Sequence, residues 1–163
     1  MLDEIVLAIS YPLRLMATHL AVRALGLAGY AASAERTLIT LPDGETSIAV
    51  TDACGGIEQL PALIIVALAF AVMMQRSWPW RALHFCSFLP CLITANAIRL
   101  FMTVALFSRW GKAILENGPH MALGWFQTIA TVVFVYLCGL AIRAAASDDG
   151  AKGSDGAKEP AQD

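Results

Sequence analysis

The chain has 163 residues, of which 58% are hydrophobic and only 15% charged, and its mean hydropathy is +0.63. That balance is too apolar for a water-soluble domain of this length and reads as an integral membrane protein. A formal net charge of -2, with no run of Lys and Arg interleaved with aromatics, gives no electrostatic footprint for nucleic acid.

The N-terminal Met1-Leu2-Asp3-Glu4 lacks the basic region and small-residue cleavage site of a secretory signal, so the first apolar segment is expected to be retained. That segment, residues 5–34, is interrupted by Pro12, Arg14, His19 and Arg23. A helix starting near Pro12 suits proline's place in a first turn. His19 and Arg23, four apart, then share one face, which is expected to point into a bundle because a charge facing lipid at mid-membrane costs about 2.5–3.5 kcal/mol. Residues 35–52 change character. Two β-leaning stretches, 37–41 and 46–51, flank the turn signal Pro42-Asp43-Gly44 and predict a small surface hairpin.

Residues 57–74 carry Glu58 as their only charge and span about 27 Å as a helix, close to a hydrocarbon core. The next seven residues combine Arg76 and Arg81 with Trp78 and Trp80, the composition of a membrane-surface loop. A third segment, 82–107, holds Asn96 and Arg99 on one face, with Pro90 expected to kink it. After a polar loop at 108–120, which ends in His120, an uncharged segment at 121–142 precedes Arg143. Residues 144–163 are Gly-, Ala-, Asp- and Lys-rich, contain no aromatic residue, and are expected to form a disordered cytoplasmic tail.

These segments predict an all-α fold: a bundle of about four transmembrane helices over residues 1–143, a short extracytoplasmic hairpin, and the tail at 144–163. The short-loop basic residues Arg76, Arg81 and Arg143 place both termini in the cytoplasm, with Arg109 and Lys112 as contrary charges outside. On that topology Cys54, the hairpin and His120 share the outer face. Arg99 lies about 12 Å below the outer end of its helix, within reach of a long arginine stem.

Cys54 stands at the start of the second span, where a helix N-terminus favours thiolate over thiol. A thiolate, a histidine that relays protons and a fixed cation are the parts that thiol-based acyl transfer needs. Each also has a plainer reading. Cys54 can be a small residue that lets Gly55-Gly56 pack, Arg99 can form a structural ion pair with Glu58, and His120 can be an interfacial loop residue. Cys86, Cys91 and Cys138 lie in apolar runs. No histidine has metal-ligand spacing with a cysteine or carboxylate, so neither a metal nor another cofactor is expected.

Ala53-Cys54-Gly55-Gly56-Ile57 opening a helix, Asn96-x-x-Arg99 on the next, and His120 followed by Gly124 on the last resemble the Cys, Arg and His blocks of the exosortase/archaeosortase family of membrane transpeptidases. The lead-in Pro12-Leu13-Arg14-Leu15, Gly29 and the polar hairpin before the cysteine are similar to that family as well. The resemblance covers roughly residues 11–142. Gly55 stands where many relatives have serine, and the chain has fewer spans than longer members.

What the resemblance implies is a multi-pass enzyme of a prokaryotic cytoplasmic membrane that recognises the C-terminal sorting signal of secreted or surface proteins. It would cut through a Cys54 thioester on the outer face, with His120 as acid/base and Arg99 as stabiliser or substrate clamp, alone, as a homo-oligomer or with a partner membrane protein. Two other functions fit the bulk features. One is a non-catalytic component of extracellular polymer or protein export. The other is a small transporter subunit using Arg23 and Arg99 as charge sites.

Overall fold

The computed structural model describes residues 2–41, 47–49, 60–115 and 117–155. Within them the order is α1 (Leu2–Leu27), β1 (Ser33–Glu35), β2 (Leu38–Thr40), β3 (Ser47–Ala49), α2 (Leu60–Met74), α3 (Trp78–Trp110), a 3₁₀ turn (Gly111–Leu115) and α4 (Asn117–Asp155). Packing gives the helix directions. Ala17, Ala21 and Leu25 of α1 cluster with Ala97, Leu100 and Val104 of α3, while Leu13 packs lower down with Leu92, so α1 and α3 run parallel. α2 and α4 return in the opposite sense.

Helix α1 begins earlier than the sequence predicts and passes through Pro12 without interruption. Proline removes a single N–H from the ladder, and the leucine-rich sequence on both sides carries the helix across. The helix ends in a Schellman motif. Gly29 takes φ 85°, Tyr30 N–H donates to Leu25 O at 2.9 Å, Gly29 N–H donates to Gly26 O at 3.1 Å, and Tyr30 packs on the cluster that holds Leu25. One expectation is overturned. His19 and Arg23 lie on the exposed side of α1, because the small residues Ala17 and Ala21 give α3 the closest approach and take the buried face.

The predicted hairpin is present as β2 and β3, paired antiparallel with Ile39 opposite Ile48. A further strand, β1, pairs with β2 through Glu35 and Leu38, joined by a two-residue turn in which Arg36 takes φ 56°. That turn carries no glycine or asparagine to announce it. Ile39 and Ile48 are buried against Leu25, Leu100 and Val104, which seats the sheet at the C-terminal half of α3.

Helix α3 starts at Trp78 and so absorbs half of the loop read between the second and third segments. Ser77 at the N-cap position is extended (φ -104°, ψ 153°) and Pro79 occupies the first turn, where its missing N–H costs nothing. At the far end Gly111, with φ 62°, closes the helix by an N–H bond to Phe107 O. Helix α4 is also longer than read. It continues from the apolar segment through Arg143-Ala144-Ala145-Ala146, strong helix formers, and on to Asp155 through a Ser-, Asp- and Gly-rich stretch whose propensity does not account for it; residues 156–163 lie outside the described residues.

Among the described residues two helices are long and apolar enough to cross a bilayer, Trp78–Trp110 and Gly118–Ser147, and α2 is an apolar helix of 15 residues. At 33 residues α3 extends about 50 Å, more than a hydrocarbon core with its headgroup layers. Only 17% of the apolar window of α4 is buried, and Trp125, Ile129 and Leu137 are more than half exposed, a surface that water does not tolerate and lipid does.

The end of the bundle remote from the sheet is fixed by a buried polar knot. His84 is fully buried, and its Nε2 donates to Val135 O at 2.9 Å. That fixes the tautomer, so Nδ1 is the acceptor that faces Gln75 Nε2 at 3.5 Å. Gln75 Nε2 also donates to Gly139 O at 2.9 Å, and Arg81 Nε donates to Gln75 O at 2.8 Å. The end of α2, the start of α3 and the middle of α4 are tied together through these bonds. Gly139 is required for this approach, since a Cβ there would stand 2.7 Å from His84 Nε2 and 2.9 Å from Met74 Cε. Gly139→Ala is therefore expected to destabilise the detergent-solubilised protein by about 1–3 kcal/mol. Gly124→Ala, whose Cβ would meet Arg99 Nη2 at an ordinary 3.8 Å, should leave the thermal midpoint unchanged.

Candidate active site

Arg99 lies two-thirds of the way along α3 and is only 3% exposed. A guanidinium at this depth needs acceptors, because burying an unsolvated cation costs several kcal/mol. Two come from α4. Nη1 donates to Gln127 Oε1 at 2.9 Å, and Nη2 donates to His120 Nε2 at 3.3 Å. Since arginine only donates, His120 Nε2 must be the accepting nitrogen and carries no proton in this arrangement. Charge-assisted bonds of this kind contribute about 1.5–3 kcal/mol each, comparable to the cost of placing the charge.

The chain brings the two residues to one level by an unexpected route. Arg99 is eleven residues short of Trp110, about 16 Å along the helix. His120 reaches it because the 3₁₀ turn Gly111–Leu115 leads the chain back alongside α3 before α4 begins at Asn117. The histidine thus belongs to the first turn of a helix already inside the bundle. It is partly exposed, which keeps one side of the imidazole accessible.

Gln127 was not singled out in the sequence. It is 1% exposed and sits seven residues after His120, two helical turns along the same face, in the uncharged part of α4 at 121–142. The available signal was the isolated amide in that segment; attention to charge alone passes over it. Thr131 Oγ donates to Gln127 O at 2.9 Å, and Thr103 Oγ donates to Arg99 O at 2.8 Å. Two further buried atoms, Asn96 Oδ1 and Gln127 Nε2, have no hydrogen-bond partner among the described residues.

Of the three residues singled out for acyl transfer, Arg99 and His120 are in contact, while Cys54 lies outside the described residues, as does Glu58. The elements that flank Cys54 in sequence are described. β3, ending five residues before it, packs at the level of Leu100 and Val104, and α2, starting six residues after it, runs away from that same end. Among the described residues no three His, Cys, Asp or Glu side chains are grouped to hold a metal ion.

An apolar helical bundle with a buried Arg–His–Gln cluster at one end is a membrane protein with a polar site built between helices. The family model described as transmembrane exosortase matches residues 1–138, which is most of the chain and includes all the elements of this site, and the protein belongs to that family. It is thus a membrane exosortase, of a family of transpeptidases that act on sorting-signal substrates. No curated protein and no solved structure matches the chain significantly.

Replacing Gln127 by leucine removes the acceptor of Arg99 Nη1 without changing the volume much. The expected loss is about 1–3 kcal/mol in unfolding, read from the tryptophan fluorescence melt in detergent. Gln127→Glu, which retains an acceptor, should recover most of it.

Proposed function

We propose that this protein is a cysteine transpeptidase that cleaves the C-terminal sorting signal of secreted proteins at the outer face of the membrane, with Cys54 as nucleophile, His120 as proton carrier and Arg99 as electrostatic clamp. The observation that carries the reading is the buried contact between Arg99 and His120 across two helices, at the end of the bundle where β3, the described strand before Cys54, packs. Four membrane spans, with both termini in the cytoplasm, belong to the same reading. The up-and-down order of the helices supports it.

The chemistry follows from the proton positions. His120, unprotonated at Nε2, takes the proton of the Cys54 thiol, and the thiolate sulfur attacks the scissile carbonyl carbon. Protonation at Nε2 removes the acceptor of Arg99 Nη2, and that N–H turns to the oxyanion that forms on the substrate. When the tetrahedral intermediate collapses, the C–N bond breaks and His120 returns its proton to the leaving amine, leaving a thioester on Cys54. An acceptor amine or hydroxyl then gives its proton to His120 as it attacks the thioester, and the thiolate departs and regains that proton. The buried Asn96 Oδ1 and Gln127 Nε2, one acceptor and one donor, offer polar partners for the backbone of an extended substrate.

Co-expression with a reporter protein ending in a sorting signal, followed by mass analysis of its C-terminus, tests the assignment. Cys54→Ala should abolish processing, and Arg99→Ala and His120→Ala should each lower it by about 10²-fold or more. Processing that persists unchanged in Cys54→Ala overturns the proposal. In intact cells a membrane-impermeant maleimide should label Cys54 and spare Cys86, Cys91 and Cys138.

A further inference from the structure

At the end of the bundle remote from Arg99, a groove of about 640 Å³ opens where α2, α3 and α4 meet. Three arginines from three different elements line it: Arg76 in the turn after α2, Arg81 in the first turn of α3 and Arg143 on α4. Nothing in the proposed transpeptidase chemistry uses them. They are 18 or more residues along α3 or α4 from Arg99 and His120, about 27–35 Å away by helical rise.

Among the described residues that line the groove there is no carboxylate. Three like charges drawn to one concavity repel each other unless an anion joins them, and a guanidinium's planar fork suits phosphate oxygens. Arg81 is already held, since its Nε donates to Gln75 O at 2.8 Å, so its remaining N–H groups are presented without much loss of rotamer freedom. Ser77 lies on the same wall.

The other part of the lining is apolar and continues onto the surface. Val72 is 50% and Met73 81% exposed along the outer face of α2, and Trp78, 78% exposed, stands at the start of α3 where an interfacial tryptophan belongs. A cationic recess opening onto a greasy track matches a molecule with a phosphate at one end and hydrocarbon at the other.

We propose that this groove binds an anionic phospholipid, with its headgroup phosphate among Arg76, Arg81 and Arg143 and its acyl chains along Val72 and Met73. The chemistry is that by which basic recesses between transmembrane helices select acidic lipids from zwitterionic ones. Bound there, the lipid joins the end of α2 to α4 across the buried His84 knot.

The full chain, reconstituted into mixed phosphatidylglycerol and phosphatidylcholine bilayers and released into mild detergent, can be weighed by native mass spectrometry. Wild type should retain phosphatidylglycerol in preference to phosphatidylcholine, and Arg76→Gln with Arg143→Gln should weaken retention roughly fivefold for each arginine removed. Arg81 stays in place because its bond to Gln75 belongs to the fold. Should the double variant melt early, Arg76→Gln alone, on the exposed turn, carries the comparison with a fivefold loss. Equal retention of the two lipids, or retention unchanged by the substitutions, overturns the proposal. Displacement of the lipid by soluble glycerol phosphate at matching concentration overturns it in favour of a site for free phosphate esters. None of these readouts depends on peptide cleavage, so they stand apart from the fate of the transpeptidase assignment.

Discussion

The Arg99 guanidinium is the charge around which the bundle is arranged. Its two N–H bonds to α4 fix the rotation of that helix about its axis, because His120 and Gln127 must face α3 together. The turn between the helices follows from the same demand. Had α4 begun at the level where α3 ends, His120, three residues into it, would stand roughly two turns above the guanidinium. The 3₁₀ segment brings it down, and the sheet, through Ile39 and Ile48, closes the other side of α3 at that height.

A second polar cluster, His84 with Gln75, holds the opposite end. Between the two, contact is made by small, aliphatic and aromatic residues, which in lipid gain little from being apolar and adhere through close packing. Polar bonds at each end therefore set the register that packing alone would leave free to slide. The histidines in the two clusters differ in kind. His84 has both nitrogens engaged and no exposed surface, a structural element, whereas His120 is partly open and bonds a cation through Nε2, the nitrogen that would carry the proton in the proposed chemistry.

Much of this was legible in residue order. The apolar segments, the strand pair around Pro42-Asp43-Gly44, and the Cys, Arg and His blocks that resemble exosortases stand out because each carries a local chemical signal. The pairing of Arg99 with His120 was within reach of the sequence, since the cost of a buried arginine demands partners from a neighbouring helix. Other features had no local signal. Strand β1 turns through Arg36, a residue that does not announce a positive φ. The outward face of His19 and Arg23 was decided by the alanines on the opposite side of α1, a matter of how closely two helices approach. Helix ends differ from the expectation at Trp78, where a proline in the first turn lets α3 begin inside the tryptophan-rich loop, and at Asp155, which the Ser-, Asp- and Gly-rich composition of 147–155 does not announce. Gln127 was hidden by its lack of charge.

The fold-back of the 3₁₀ turn leaves the last three turns of α3, up to Trp110, standing above the level of Arg99. Measured along the helix that is about 16 Å, the length of some five residues of extended chain. Under the proposed function, a polypeptide that meets Arg99 from the Trp110 end would arrive as an extended strand of about that length, with any folded domain held beyond Trp110. On the proposed transpeptidase reading, the bundle would thus act as a ruler that selects by the length of free chain a protein offers before any side chain is read.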